Sequence, residues 1–311
     1  MNFPRNAGFV VALCACLASD GLAGNRAGTV TAQFLKLPVN ARANAMGNAQ
    51  VSLAEGASAI AYNPAGVLSV ENVGIGGTYN QWFADITHSF IGVAVNLQEY
   101  GTVGGGVTVL ATDDMEVTTP LSPDGTGELF KATDFAFTLT YARQISQEFG
   151  LGLSAKYIKS YLYNKELKAN SVAFDIGTLY DIPTLRTRLG ISVNNLGRDL
   201  KYINEQYSLP TALRFGARTM VYEDEDNLLY LAVQIGRPND ADEQYNLGAE
   251  YIFLKLISLR TGYRFNYDTE NFSGGLGVDL HTIGFNGRLD YAYTNYKYLS
   301  GTHMFSLEVS Y

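Results

Sequence analysis

Arginines and carboxylates recur inside otherwise apolar runs of this chain, and their spacing limits the chemistry they can do. Read at every second residue, Arg186, Arg188, Arg214, Arg218, Arg260, Arg264 and Arg288 fall on the polar side of strand-like segments, with Asp175, Glu250, Asp279, Asp290 and Glu308. Two roles fit such a row. One is a polar conduit or a surface for an anionic ligand. The other is a network of ion pairs filling a narrow interior, which the cost of burying an unpaired charge favours.

Catalysis has little to build on. His88, His281 and His303 lack metal-ligand spacing. There is no HExxH, no G-x-S-x-G, no P-loop and no dinucleotide fingerprint. No catalytic residue, metal or cofactor is assigned, and the chain is expected not to be an enzyme. The acidic run Glu223–Asp226 admits a divalent-cation or partner site, but fits a solvated hairpin tip better. The Gly-rich stretch GTVGGGV (101–107) has the wrong spacing for a phosphate cradle. It reads as a strand whose small face lets something inside approach closely. Residues 101–106 are therefore where a lateral opening is expected, if the wall has one.

The elements that position these residues are strands. From Val73 onward the alternation has period two. In FAFTLTYA, Phe135, Phe137, Leu139 and Tyr141 alternate with Ala136, Thr138, Thr140 and Ala142. In LRTGYRFNY, Leu259, Tyr263, Phe265 and Tyr267 alternate with Arg260, Gly262, Arg264 and Asn266. A soluble sandwich and an outer-membrane barrel both alternate this way. Strand length decides for the barrel: many segments run to ten residues or so, where sandwich strands run to about five or six. Tyrosines near strand ends suit the lipid headgroups, and a polar face carrying isolated charges beside glycine suits a packed interior.

Composition agrees. The chain has 311 residues with 32 Gly, 21 Tyr and 16 Phe, and 47% are hydrophobic, which suits turns and strands more than helices. Its net charge of −8 lacks the basic surface that nucleic acid requires. Beyond the first residues no apolar run approaches the roughly 20 residues of a membrane helix. A closed barrel is the other structure that satisfies every backbone group in lipid.

Turn-forming residues bound about 14 strands. The two longest breaks, 113–129 and 196–209, are third and seventh in order, and so belong on one face. Pro120, Pro123, Pro183, Pro210 and Pro238 all fall in or beside breaks. The last strand, MFSLEVSY, alternates cleanly and ends on Tyr311.

Residues 1–23 are expected to be a removed signal peptide, with Arg5, an apolar core and Gly21-Leu22-Ala23 as the cleavage site. Cys14 and Cys16 both lie in this segment. Lipidation at Cys16 is the less favoured alternative, and ordinary cleavage leaves no cysteine. Residues 24–68 are expected to form a plug and residues 69–311 the barrel. The plug reading rests on ASAIAYNPAGVLSV (57–70), slim and apolar, in which Pro64 rules out a strand interior. Asn63 should be extended before that proline and cap a turn that begins there.

Residues 38–68, PVNARANAMGNAQVSLAEGASAIAYNPAGVL, carry a family signature. The stretch resembles the N-terminal block of the PorV/PorQ family, within the superfamily of FadL-type long-chain fatty-acid transporters. The block typically reads GARALGMGGA and later DDASAxxxNPAGL. Arg42, Met46, Gly47, Ala57, Ser58, Asn63, Pro64, Ala65 and Gly66 match it. Asn40, Asn48 and Glu55-Gly56 depart from it. The resemblance implies a 14-stranded outer-membrane barrel with its N-terminal segment in the lumen. It further implies an accessory of type IX-like protein export, partnered by outer-membrane lipid and by a translocon or exported cargo protein. The alternative is a FadL-like channel taking up a hydrophobic ligand.

Overall fold

The computed structural model describes residues 28–163, 167–281 and 284–311. The expected signal peptide, with Arg5, Cys14 and Cys16, lies outside the described residues.

The period-two stretches form a single wall of 14 antiparallel strands, each paired to its neighbours in sequence and closed by the first strand against the last. In chain order they are β1 (Val73–Gln81), β2 (Thr87–Asn96), β3 (Thr102–Ala111), β4 (Thr133–Gln144), β5 (Phe149–Tyr163), β6 (Leu167–Ile182) and β7 (Thr187–Gly197). There follow β8 (Ala212–Glu223), β9 (Leu228–Pro238), β10 (Gln244–Phe253), β11 (Ile257–Phe265), β12 (Glu270–Asp279), β13 (Gly287–Tyr296) and β14 (Thr302–Ser310). Closure leaves no strand edge unpaired, which a bilayer requires.

The two faces separate as the alternation dictates. On β4, Phe137, Leu139 and Tyr141 point outward and are exposed, while Ala136, Thr138, Thr140 and Ala142 are buried inside. The outward side chains meet lipid. Connections 112–132 and 198–211 share one rim, and short turns such as 145–148 and 254–256 share the other. In bacterial barrels the longer loops face the exterior, so these are the outer and inner rims. Tyr79, Tyr263 and Phe265 stand near the outer rim, and Tyr100, Tyr141, Tyr180 and Tyr222 near the inner one, all exposed. One expected break is shorter than its residues suggest. β6 starts at Leu167 rather than after Ala169, because Lys168, Ala169 and Asn170 keep alternating and pair with Tyr161, Ser160 and Lys159 of β5.

Inside the wall runs the chain that precedes it. Every residue from 38 to 54 is buried. The segment begins at the outer rim, where Thr31 N–H donates to Ser208 O of the 198–211 connection (3.1 Å). It reaches the inner rim at Val70, whose carbonyl accepts from Asn96 Nδ2 (3.1 Å). Apolar clusters anchor it, two of them large. Phe34 packs with Ile158, Leu200 and Leu209 in the outer half, and Ile60, Val67 and Val70 pack with Phe90 and Ala94.

Candidate functional site

The inner segment fits because its side chains are small and its turns are locally specified. Helix α1 (Ala41–Ala45) is capped by Asn40, whose side-chain oxygen accepts from Ala43 N–H (3.3 Å). Ala41 and Ala45 pack against Ala292 and Met304 of the wall. Helix α1 is followed by Gly47, at φ +66°. A Cβ there would stand 2.6 Å from Leu247 O and 2.9 Å from Tyr263 N, so the backbone of the segment lies directly on that of the wall. Met46 is buried beside Gly47, against Gly248.

Further along, Asn63 is extended (φ −141°, ψ 105°) and its side chain accepts from Ala65 N–H (3.2 Å). Pro64 opens a 3-10 turn, Pro64–Ser69, that also holds Ala65 and Gly66. Asn63 Nδ2 also donates to Val51 O and to Thr178 O of the wall, both at 3.0 Å. The preceding 3-10 turn, Ala57–Ala61, places Ala57 and Ser58 against β14, where Ser58 N–H donates to Glu308 Oε1 (3.1 Å).

The segment between residues 38 and 68 has two charged residues, Arg42 and Glu55, and both are tied into the wall. Arg42 donates through Nε and Nη2 to the two carboxylate oxygens of Glu250, at 2.9 and 2.6 Å. Its Nη1 donates to Glu55 (2.8 Å). Glu55 also accepts from Arg188 (3.1 Å) and Arg218 (2.7 Å). Glu250 is shared in turn with Arg260 (2.6 Å), Arg260 reaches Asp290 (2.7 Å), and Asp290 also accepts from Arg288 (2.7 Å). Arg260 and Glu250 are 0% and 1% exposed. A forked guanidinium–carboxylate contact at this depth fixes both distance and orientation. With Asp181, which accepts from Arg188 (2.7 Å), five arginines and four carboxylates thus form one continuous lattice through the inner half of the barrel, with the segment's Arg42 and Glu55 at its centre.

The remaining expected residues lie elsewhere. Arg214 and Arg264 point inward from the outer half and meet neutral partners, Asn194 Oδ1 and Asn44 Oδ1. Asp175 pairs with Lys156 (2.8 Å). One residue expected in the lumen is not there. Arg186 sits in the turn before β7, at φ +49°, and pairs with Glu223 at the inner rim with more than half its side chain exposed. The left-handed turn breaks the alternation that would have pointed it inward. Asp279 ends β12 on the inward face, opposite Arg288, and lines the inner mouth of the lumen with Glu55 and Glu308, where it also pairs with His281 of the following turn (2.6 Å).

The Gly-rich stretch also serves a different purpose from an opening. β3 pairs continuously with β2 and β4. Gly104 and Gly106 instead make room for Ile60 and Phe90. Register shifts fall elsewhere, at Tyr161/Tyr163, Met220/Tyr222, Glu270/Ser273 and, between β6 and β7, at Phe174/Ile176, where Asp175 accepts from Asn195 N–H (2.8 Å). Glu55, Asp181 and Lys156 are partners that sequence reasoning passed over. Glu55 had a signal, as the one acid in an apolar stretch; Asp181, a partner of Arg188, stands beside a turn and carried none.

A closed 14-strand barrel with lipid-facing side chains outside and its own N-terminal segment within defines an outer-membrane β-barrel. Residues 21–238 match the model of the family described as type IX secretion system protein PorV, and the chain belongs to that family. No curated protein matches the sequence. The fold is similar to the Pseudomonas putida toluene transporter TodX, at 12% identity over 88% of this chain and 97% of that one, TM-score 0.62. It is similar to the CymD monoaromatic hydrocarbon channel, at 13% identity over the same shares, TM-score 0.61. A Pseudomonas aeruginosa FadL homologue aligns at 11% identity over 91% of this chain and 99% of its own, TM-score 0.53.

Proposed function

We propose that this protein is a plugged accessory subunit of type IX-like protein export, which docks a translocon component or exported cargo rather than conducting it through its lumen. The observation that carries this reading is the fastening of residues 28–72 along the interior, from Ser208 at the outer rim, through Glu250, to Asn96 at the inner rim. A polypeptide has no path through such a barrel. What remains for a protein partner is the outer rim, which carries the connections 112–132 and 198–211.

Gentle detergent extraction from the native membrane, followed by co-purification, tests the assignment. Translocon proteins or an exported protein should travel with the barrel. Lipid bound in the lumen and no protein partner would sink the reading. The plug has its own test: a chain lacking residues 38–68 should fold and make liposomes permeable to small solutes, and unchanged permeability would count against it.

A second reading, uptake of a hydrophobic small molecule through the wall, draws on the register break at Phe174/Ile176. It predicts that the intact chain speeds entry of an apolar solute such as toluene into vesicles.

A further inference from the structure

A cavity of about 470 Å³ opens in the outer half of the barrel, between the inner segment and strands β8 to β12. Its volume falls in the range of small-molecule sites, roughly 300–1,000 Å³. Three polar atoms on its walls have no hydrogen-bond partner among the described residues: Arg264 Nε, Asn48 Oδ1 and Trp82 Nε1. Arg264 and Asn48 are 4% and 8% exposed, so solvent contact does not explain them. A buried group left without a partner costs on the order of 1–3 kcal/mol, and more when charged. Their convergence on one space is what a ligand would relieve.

The charges around this cavity are ordered by depth. Arg214, third in β8, and Arg264, next to last in β11, stand just inside the outer strand ends, and their side-chain partners, Asn194 and Asn44, are neutral. Tyr267, whose hydroxyl meets Asn246 Nδ2 (3.0 Å), lines the same space. Nearer the rim stand Asp242 and Asp268, in the turns after β9 and β11, and Glu270 at the start of β12. Asp240 is already held by Lys36 and Gln33. The interior therefore presents cationic donors, with Asn48 Oδ1 as an acceptor beside them. The rim presents carboxylates, with the indole N–H of Trp82 from the turn after β1.

We propose that this cavity is a binding site for a small zwitterion of amino-acid or short-peptide type, with its carboxylate on Arg264 and Arg214 and its ammonium toward the acidic rim. A guanidinium without a carboxylate partner is suited to forked recognition of one. A simple anion gains nothing from the acidic rim and a simple cation nothing from the arginines.

Trp82 is the one tryptophan in the chain, so its fluorescence reports on this site alone. The full chain in detergent is titrated with glycylglycine, with acetate and ethylammonium as comparison solutes. Glycylglycine should give a saturable change, and each comparison solute should need at least about tenfold more to reach half-saturation. Arg264→Gln should weaken glycylglycine by about tenfold or more, and Arg214→Gln, at a less buried position, should weaken it in the same direction. Heat-dependent gel mobility checks that each variant is folded, and Arg214→Gln carries the test if Arg264→Gln is not. A flat titration, equal response to ethylammonium, or unchanged affinity in the folded variants would overturn the proposal.

Discussion

The two halves of the barrel interior use arginine in opposite ways. In the inner half Arg42, Arg188, Arg218, Arg260 and Arg288 each meet a carboxylate, and the lattice they form runs through the inner segment. In the outer half Arg214 and Arg264 meet asparagine oxygens and border an open cavity. Residue type and strand position are the same in both. Only the acid across the lumen differs, so the neighbour, not the arginine, separates a fastening from a binding surface. Pairing also carries a penalty: a lattice this deep contributes little net stability over an apolar core, but losing one member strands the others.

That contrast can be broken most directly at Glu250. Glu250→Ala removes the shared acceptor of Arg42 and Arg260 and should destabilise the protein by about 3–5 kcal/mol, read as a lower denaturant midpoint. Arg214→Gln abandons no carboxylate and should cost under about 1 kcal/mol. Equal losses for the two would erase the distinction.

Gly47→Ala tests whether backbone contact also holds the segment. Its positive φ and the 2.6 Å approach to Leu247 O predict a cost of about 1–3 kcal/mol, together with faster proteolysis within residues 28–72. Resistance as in the parent chain would show that the ion pairs suffice.

At the inner rim, where the pairs are exposed, effects should nearly vanish. Arg186→Ala should shift stability by no more than about 0.5 kcal/mol. In the neighbouring turn the Asp224 carboxyl is drawn down to about 2, first by the Tyr222 hydroxyl and then by Asp226 N–H. A lowered value means that the ionised form caps the turn at neutral pH and that the cap is lost as pH falls through about 2. Amide exchange at Asn227, whose N–H donates to Asp224, should quicken across that range while α1 stays protected.

The sequence alone was enough for the class of fold, the strands and the two faces, because these depend on local alternation, on turn residues and on the demand that lipid makes of every backbone group. It also singled out Asn63-Pro64 and Arg42, whose conformations or chemistry stand out within a few residues. It erred at Arg186, where alternation was carried past a strand end into a turn. The pairings belonged to the tertiary structure alone. Arg42 and Glu250 are 208 residues apart, and their contact depends on barrel closure, on the register of each strand and on the depth at which the inner segment rests. Glu55, Asp181 and Asp290 became partners through the same geometry, while Arg214 and Arg264 meet asparagines, the buried Asp175 being held by Lys156. Charge identity is a property of single residues, whereas charge compensation is a distance, and distance across a lumen exists only once the barrel has closed.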